Sequence, residues 1–373
     1  MSRRRLGIAL MCAVGVAGLS AVPAAAQGNP GDPGSCRPSG AGHLAYSTNL
    51  DTDYNSVSVV DTKDLRVQRY IPGFRVPSNV TVLNDGSKLY VDQWYTGDAN
   101  TKVVNPCTGQ IVKTIPRPGG LFPLTNLSPD GRWLYLSTIQ GFTIEKIDTK
   151  TDEVVHTYST QQTGEPIGYA IPSPDGKSMW IAGLHHVYQM DLATGQFVGD
   201  PIAVGLSPEW LAVTPDGKRL LTSNFADGTD SVIDAASRRV TATVNTGITS
   251  YPNSVSSTPD GSQFWVGNLD GSVAVVDSHT GALIRMLKPG KITLDVTFSP
   301  DGRLAYVPTT PFSSPAPNIN GALTAFGPMV SGNYHTGPGE IVVYDTRSLN
   351  LVKTFPTGGV PSPVVIPAGP FHD

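Results

Sequence analysis

Trp210-Leu-Ala-Val-Thr214, Pro215-Asp216-Gly217, Arg219-Leu-Leu-Thr-Ser-Asn224, Ser231-Val-Ile-Asp234 and Arg239-Val-Thr-Ala-Thr-Val244 follow one another between Gly205 and Gly247. These are four short apolar runs separated by turn residues, with no sustained helical period. The Asp-Gly pair after Pro215 is hairpin chemistry, because glycine takes the positive φ of a tight turn at little steric cost. Forty-odd residues that yield four strands make one blade of a β-propeller.

The same unit recurs along the chain. Asp-Gly turns stand at Asp85, Asp130, Asp175, Asp216, Asp260 and Asp301, spaced by 45, 45, 41, 44 and 41 residues. An apolar pair ending in Asp or Asn stands at Asp61, Asn105, Asp148, Asp191, Asp234, Asp277 and Asp345, spaced by 44, 43, 43, 43, 43 and 68. Seven units result, the last one longer than its neighbours by 25 residues. The reading is all-β: a seven-bladed β-propeller of four-stranded antiparallel blades, one domain over residues 43–373 with a blade-seven loop insertion at 309–339. The first unit begins at His43-Leu-Ala-Tyr-Ser47 without an innermost strand, and Pro361-Ser-Pro-Val-Val-Ile-Pro367 has the pattern of an innermost strand with nothing after it. The C-terminal strand is therefore expected to complete blade one and close the ring, pairing edges that would otherwise stay free.

Gly205 to Gly247 resembles a repeat of the YVTN-type β-propeller family, in which a Pro-Asp-Gly turn leads into a Tyr-Val-Thr-Asn-like strand and a Val-Ile-Asp hairpin. Leu89-Tyr-Val-Asp92, Trp133-Leu-Tyr-Leu-Ser-Thr138, Trp265-Val-Gly-Asn268 and Tyr306-Val-Pro308 echo it. The resemblance runs from His43 to about Pro367. It implies a WD40-like propeller architecture without the Trp-Asp dipeptide, and a family that spans binding modules, lactonase-like enzymes and subunits of exported amine dehydrogenases.

The first 26 residues stand apart. Arg3, Arg4 and Arg5, an apolar run from Leu6 to Val22 and a small-residue end at Ala24-Ala25-Ala26 make a secretory signal peptide, followed by an N-terminal tail over 27–42. The protein is thus expected to be exported, secreted or periplasmic in the cell envelope, with no later membrane span. Of the 26 basic and 30 acidic residues, the leader holds three arginines and no acid, so the remainder is acidic by seven charges. That balance argues against a nucleic-acid partner. Beyond Cys12 of the leader, Cys36 and Cys107 remain, an even count in an oxidising compartment, and both fall on the turn face of adjacent units.

Two faces follow from blade topology. The Asp-Gly turns and the turns after the Ile-Asp pairs share one; the loops from second to third strand and from fourth strand to the next blade share the other, expected to surround the binding end of the central channel. There the innermost strands begin with Asn79, Glu209, Asn253 and Asp295, with Tyr169 and Trp210 beside them, and the insertion adds Tyr334 and His335. Glu209 and Asp295 are candidates for a carboxylate pair, one protonated by repulsion from the other, with His335 as a third catalytic group. Asn79, Tyr169, Trp210, Asn253 and Tyr334 are candidate ligand contacts. The competing reading is that all of them bond neighbouring strands or channel water.

Other constellations fall short. His185-His186 points to opposite sides of an extended chain, so both do not share a metal easily. Asp51, Asp53 and Asn55 begin like a calcium loop, but Ser56 replaces its glycine and Thr62 its final acid. Asp191-Leu-Ala-Thr-Gly195 has the look of a quinoprotein tryptophan-docking turn without the tryptophan, and reads as an ordinary hairpin. No C-x-x-C-H, P-loop, G-x-G-x-x-G or G-x-S-x-G motif is present. No cofactor or metal is expected. Three functions stay open: a binding or scaffold module for a protein partner or small ligand, a cofactor-independent lactonase-like hydrolase or lyase, and the propeller subunit of an exported amine dehydrogenase.

A Cys36–Cys107 disulfide is the expectation for the exported chain, contributing about 3–5 kcal/mol through its long loop. Non-reducing peptide mapping checks it: a linked peptide pair is expected, and two free thiols would overturn it.

Overall fold

The computed structural model describes residues 43–94, 100–116, 121–139, 141–310 and 337–368. The leader, the tail with Cys36, and most of the insertion, with Tyr334 and His335, lie outside the described residues.

Seven four-stranded antiparallel sheets form the propeller. Blade 1 holds β1 (Leu44–Asn49), β2 (Ser56–Asp61) and β3 (Arg66–Pro72). Blade 2 holds β4 (Pro77–Val82), β5 (Leu89–Gln93), β6 (Asn100–Val104) and β7 (Ile111–Pro116). Blade 3 runs β8 (Leu121–Leu127), β9 (Trp133–Ile139), β10 (Thr143–Asp148), β11 (Glu153–Ser159); blade 4 runs β12 (Ala170–Pro172), β13 (Ser178–Ala182), β14 (His186–Asp191), β15 (Ile202–Ala203). Blade 5 runs β16 (Pro208–Val213), β17 (Arg219–Asn224), β18 (Thr229–Asp234), β19 (Arg239–Asn245); blade 6 runs β20 (Pro252–Ser257), β21 (Gln263–Asn268), β22 (Val273–Asp277), β23 (Leu283–Leu287). Blade 7 runs β24 (Thr297–Phe298), β25 (Leu304–Thr309), β26 (Glu340–Asp345), β27 (Leu351–Pro356), and β28 (Pro361–Val365) returns to blade 1.

β28 pairs antiparallel with β1, Val365 opposite Tyr46 and Val364 opposite Ser47, so the expected closure is the observed one. The closing strand is also tied to the blade on its other side: the Val364 amide donates to Asp295 at 3.2 Å. No helix among the described residues is long and apolar enough to cross a membrane.

The core is divided among the blade interfaces. One apolar cluster joins blades 1 and 2 through Tyr46, Val59, Val80 and Val91, and another joins blades 7 and 1 through Tyr306, Ile341, Ala45 and Val364. The five remaining junctions are filled in the same way. Middle strands such as β2 are therefore buried on both faces, while outer strands such as β3 are largely exposed. This is why the middle strands read as continuous apolar or small-residue runs and not as alternation.

The two sequence markers are hydrogen-bonded devices. In five blades a Ser or Thr hydroxyl donates to the aspartate two residues on, as Thr214 does to Asp216 at 2.7 Å, and accepts the amide five residues on, as from Arg219 at 3.0 Å. The proline of the turn packs on the next blade: a Cβ at Gly261 would stand 3.3 Å from Pro215, and at φ +72° a side chain there is strained as well. Pro367 takes this role against Gly86, so the ring of turns also closes through the C-terminal segment. In all seven blades the Asp or Asn of the second marker accepts backbone amides of the turn that follows it.

On the opposite face Val76, Ser207, Tyr251 and Val360 each adopt positive φ immediately before the proline that opens β4, β16, β20 and β28. Left-handed backbone is costly for such residues, and more so before proline. Val76, Tyr251 and Val360 bury their side chains with Leu50, Trp94, Phe225, Leu269, Ile292 and Leu294 in a separate cluster that offsets the strain.

Removing Pro361 to Asp373 deletes the closing strand and Pro367, and is expected to lower the melting temperature by about 10 °C or more. Deleting Phe312 to Tyr334, which belong to no blade in the repeat arithmetic, is expected to leave cooperative unfolding intact. Thermal unfolding of both variants in one buffer checks the contrast; a C-terminal truncation melting near the intact protein would refute it.

Candidate functional site

Each inner strand contributes one residue to a ring four positions before the residue that opens its Asp-Gly turn: Asn79, Leu124, Tyr169, Trp210, Ser254 and Asp295, with Pro363 at the matching place in β28. A second ring two residues further along holds Thr81, Asn126, Ile171, Ala212, Ser256, Thr297 and Val365. All seven of the second ring, and five of the first, line a channel cavity of about 450 Å3. Its lining continues to Pro215 and Pro259 in the turns. The cavity thus reaches toward the turn face as well as the loop face expected to frame it.

The six described sequence candidates separate into two registers. Asn79, Tyr169, Trp210 and Asp295 occupy equivalent ring positions in blades 2, 4, 5 and 7 and line one cavity. Glu209 and Asn253 stand one residue earlier, each the extra residue of a β-bulge: Pro208 faces Asn224 while Trp210 faces Ser223, and Pro252 faces Asn268 while Ser254 faces Gly267. The bulge re-aims the side chain, and neither residue lines the cavity. A signal was present in the sequence: counted back from the opener of the Asp-Gly turn, the channel residues stand four positions away and Glu209 and Asn253 five, a difference that grouping by strand start passes over.

The Tyr169 and Trp210 rings stack at 4.8 Å between centroids and 15° between planes. The Tyr169 hydroxyl donates to Asn126 Oδ1 at 2.8 Å, and Asn126 Nδ2 donates to the Ala170 carbonyl at 3.0 Å, so the phenol is fixed and the pair presents mainly ring surface. Asn79 is committed to structure: its amide donates to Asp92 Oδ2 at 2.9 Å and Thr125 Oγ1 at 3.1 Å. Asp92, fully buried, also accepts Thr101 Oγ1 and the Thr125 amide, and so joins blades 2 and 3.

Asp295 is 8% exposed. Burial pushes its carboxyl up to about 7, opposed by the Val364 and Val296 amides. Burial alone raises Glu209 to about 8. Neither shift is caused by the other carboxyl, so these are two separately desolvated acids, Asp295 buried and Glu209 half-buried, and not a pair sharing a proton by repulsion. A third acid went unnoticed in the sequence: Asp230 on β18 is fully buried with no hydrogen bond to either oxygen among the described residues, and burial holds its carboxyl far above the usual range, with nearby Asp227 adding to the effect.

Away from the channel, His186 Nδ1 lies 3.2 Å from Glu165 Oε1, which also accepts the Tyr188 hydroxyl at 2.6 Å. His185 is exposed beside them. The Asp51–Asn55 loop spends polar atoms on backbone: Asp51 Oδ1 accepts the Asp53 amide and Asn55 Oδ1 the Val76 amide, both at 2.8 Å. Among the described residues no three His, Cys, Asp or Glu side chains gather in a metal-binding group. Cys107 lies between β6 and β7, where Arg69 donates to the Pro106 and Cys107 carbonyls from blade 1.

No protein-family profile matches the chain, and no curated protein matches it in sequence. Its fold is shared with solved structures, among them dihydro-heme d1 dehydrogenase NirN in complex with DHE, at 16% identity and a TM-score of 0.60 over 89% of this chain and 76% of that one. At that identity the likeness concerns the propeller fold.

Asp295 and Glu209 hold native-state protons that the unfolded chain, titrating near pH about 4, releases. Their contribution is full below that pH and is lost as pH rises toward 7 and 8. Asp295→Asn and Glu209→Gln are each expected to lose less unfolding free energy between pH 5 and pH 9 than the parent, measured by urea denaturation. Unchanged slopes would show that these carboxyls are ionised in the native state.

Proposed function

We propose that this chain is an exported propeller of the YVTN type that binds a small molecule in its central channel and performs no chemistry on it. The observation that carries the reading is the convergence of the stacked Tyr169–Trp210 pair, Asn126 and Asp295 on one cavity, from four different blades. A pocket of a few hundred Å3 with aromatic and aliphatic side chains interspersed with polar ones suits a small ligand. The leader supports export, and the Cys36–Cys107 bridge belongs to the same reading.

A lactonase-like hydrolase is the second reading, favoured by Asp295: a carboxyl held near 7 is a fitting general acid. It is the weaker one, since Glu209 is off the cavity and, among the described residues, no His or Lys lines the cavity to activate a hydroxyl such as that of Thr297 or Ser256. The structural neighbour NirN is by name a dehydrogenase solved in complex with DHE.

A thermal-shift screen of neutral, cationic and anionic metabolites tests the binding reading. A ligand at 100 times its Kd adds about 2.7 kcal/mol to native stability, a shift of several degrees. Ala212→Phe, which fills the second ring, is expected to abolish that shift while the variant still unfolds cooperatively. A screen with no hits, or hits that Ala212→Phe leaves untouched, would place binding elsewhere. N-terminal sequencing of exported protein is expected to begin at Gln27.

A further inference from the structure

The charge of the channel selects among ligands, an inference that rests on the binding reading above. Among the described residues the cavity is lined by one carboxyl, Asp295, and by no Lys, Arg or His. The strands packed around Asp295, namely β24, β25, β1 and β28, carry no charged side chain; their titratable groups are Tyr306 and Tyr46. Across the channel the titratable group is Tyr169, close enough to Asp295 for its ionisation to feel the carboxylate; Glu209, next to Trp210 in the chain but off the cavity, is again an acid. An anion entering this space would meet Asp295 with no countercharge among the described lining residues. A neutral ligand would leave an ionised Asp295 uncompensated in a buried wall, which is costly.

We propose that the channel ring binds an organic cation, with the ammonium group between the Asp295 carboxylate and the Tyr169–Trp210 rings. Aromatic faces attract ammonium groups through the ring quadrupole, and desolvation strengthens that attraction. Because the Tyr169 hydroxyl is held by Asn126, the pair offers ring surface in place of a competing donor. One ring further along, the Ser256 and Thr297 side chains line the same cavity and can receive a hydroxyl carried by the ligand.

Choline and its neutral isostere 3,3-dimethyl-1-butanol form the test, by calorimetry and thermal shift on the full mature chain. Choline carries a permanent charge, so any pH dependence belongs to the protein. The expected result is choline binding at least about tenfold tighter than the isostere at pH 8, and about tenfold weaker at pH 6, where Asp295 is mostly protonated. Asp295→Asn, which keeps an acceptor for the Val364 amide, is expected to bring the two ligands together and flatten the pH dependence. Trp210→Leu is expected to weaken choline more than the isostere. If Asp295→Asn does not fold, the isostere and pH comparisons on the parent protein decide. Equal binding of choline and isostere, or preference for an anion from the metabolite screen, overturns the cation inference and leaves the channel reading standing. No binding by either probe overturns the cation inference, and the wider screen then decides the channel reading on its own.

Discussion

Packing between blades is the constraint on which the structure depends. A four-stranded sheet with two apolar faces cannot satisfy both against water, and here each face is covered by the next blade, as in the Tyr46, Val59, Val80 and Val91 cluster between blades 1 and 2. Such stacking ends only if the last blade meets the first. The meeting is made by β28 beside β1, with Val364 buried against blade 7 and its amide held by Asp295. One strand supplies a blade edge, an interface and a segment of the channel wall.

The turns hold each sheet at the angle this packing needs. The Thr214 and Asp216 arrangement fixes a hairpin locally, while Pro215 against Gly261 fixes the spacing to the next blade. One short motif therefore serves two scales. Its aspartates are held below the ordinary carboxylate range by these bonds, Asp216 to about 2, whereas Asp295 at the channel and Glu209 one register away are displaced upward. The molecule thus has acids of opposite character, hydrogen-bonded at the turn face and desolvated along the axis.

The channel is where the repeat is least regular. Equivalent ring positions carry Asn, Leu, Tyr, Trp, Ser, Asp and Pro, although the turns and middle strands of the same blades keep their pattern. Interblade packing constrains these positions less than the middle strands, because five of the seven line the channel cavity. That freedom lets a stacked aromatic pair and a buried carboxyl share a single cavity.

The sequence alone determined the blade count, the four-strand unit, the antiparallel order and the closing strand. Each of these is written locally, in the Asp-Gly and Ile-Asp spacings and in the unmatched ends at His43 and Pro361. It also brought Asn79, Tyr169, Trp210 and Asp295 forward as a group, since strand starts in a propeller must converge. It did not show that Glu209 and Asn253 leave that group, that Asn79 is committed to Asp92, or that Asp230 is buried without a partner among the described residues. Only the tertiary structure decided these, for one physical reason: a bulge re-aims a side chain by a single residue of register, and burial is set by the neighbouring blade some forty residues away. The register offset is written in the count from the Asp-Gly turn, but the direction of the side chain and the cover given by the next blade are not.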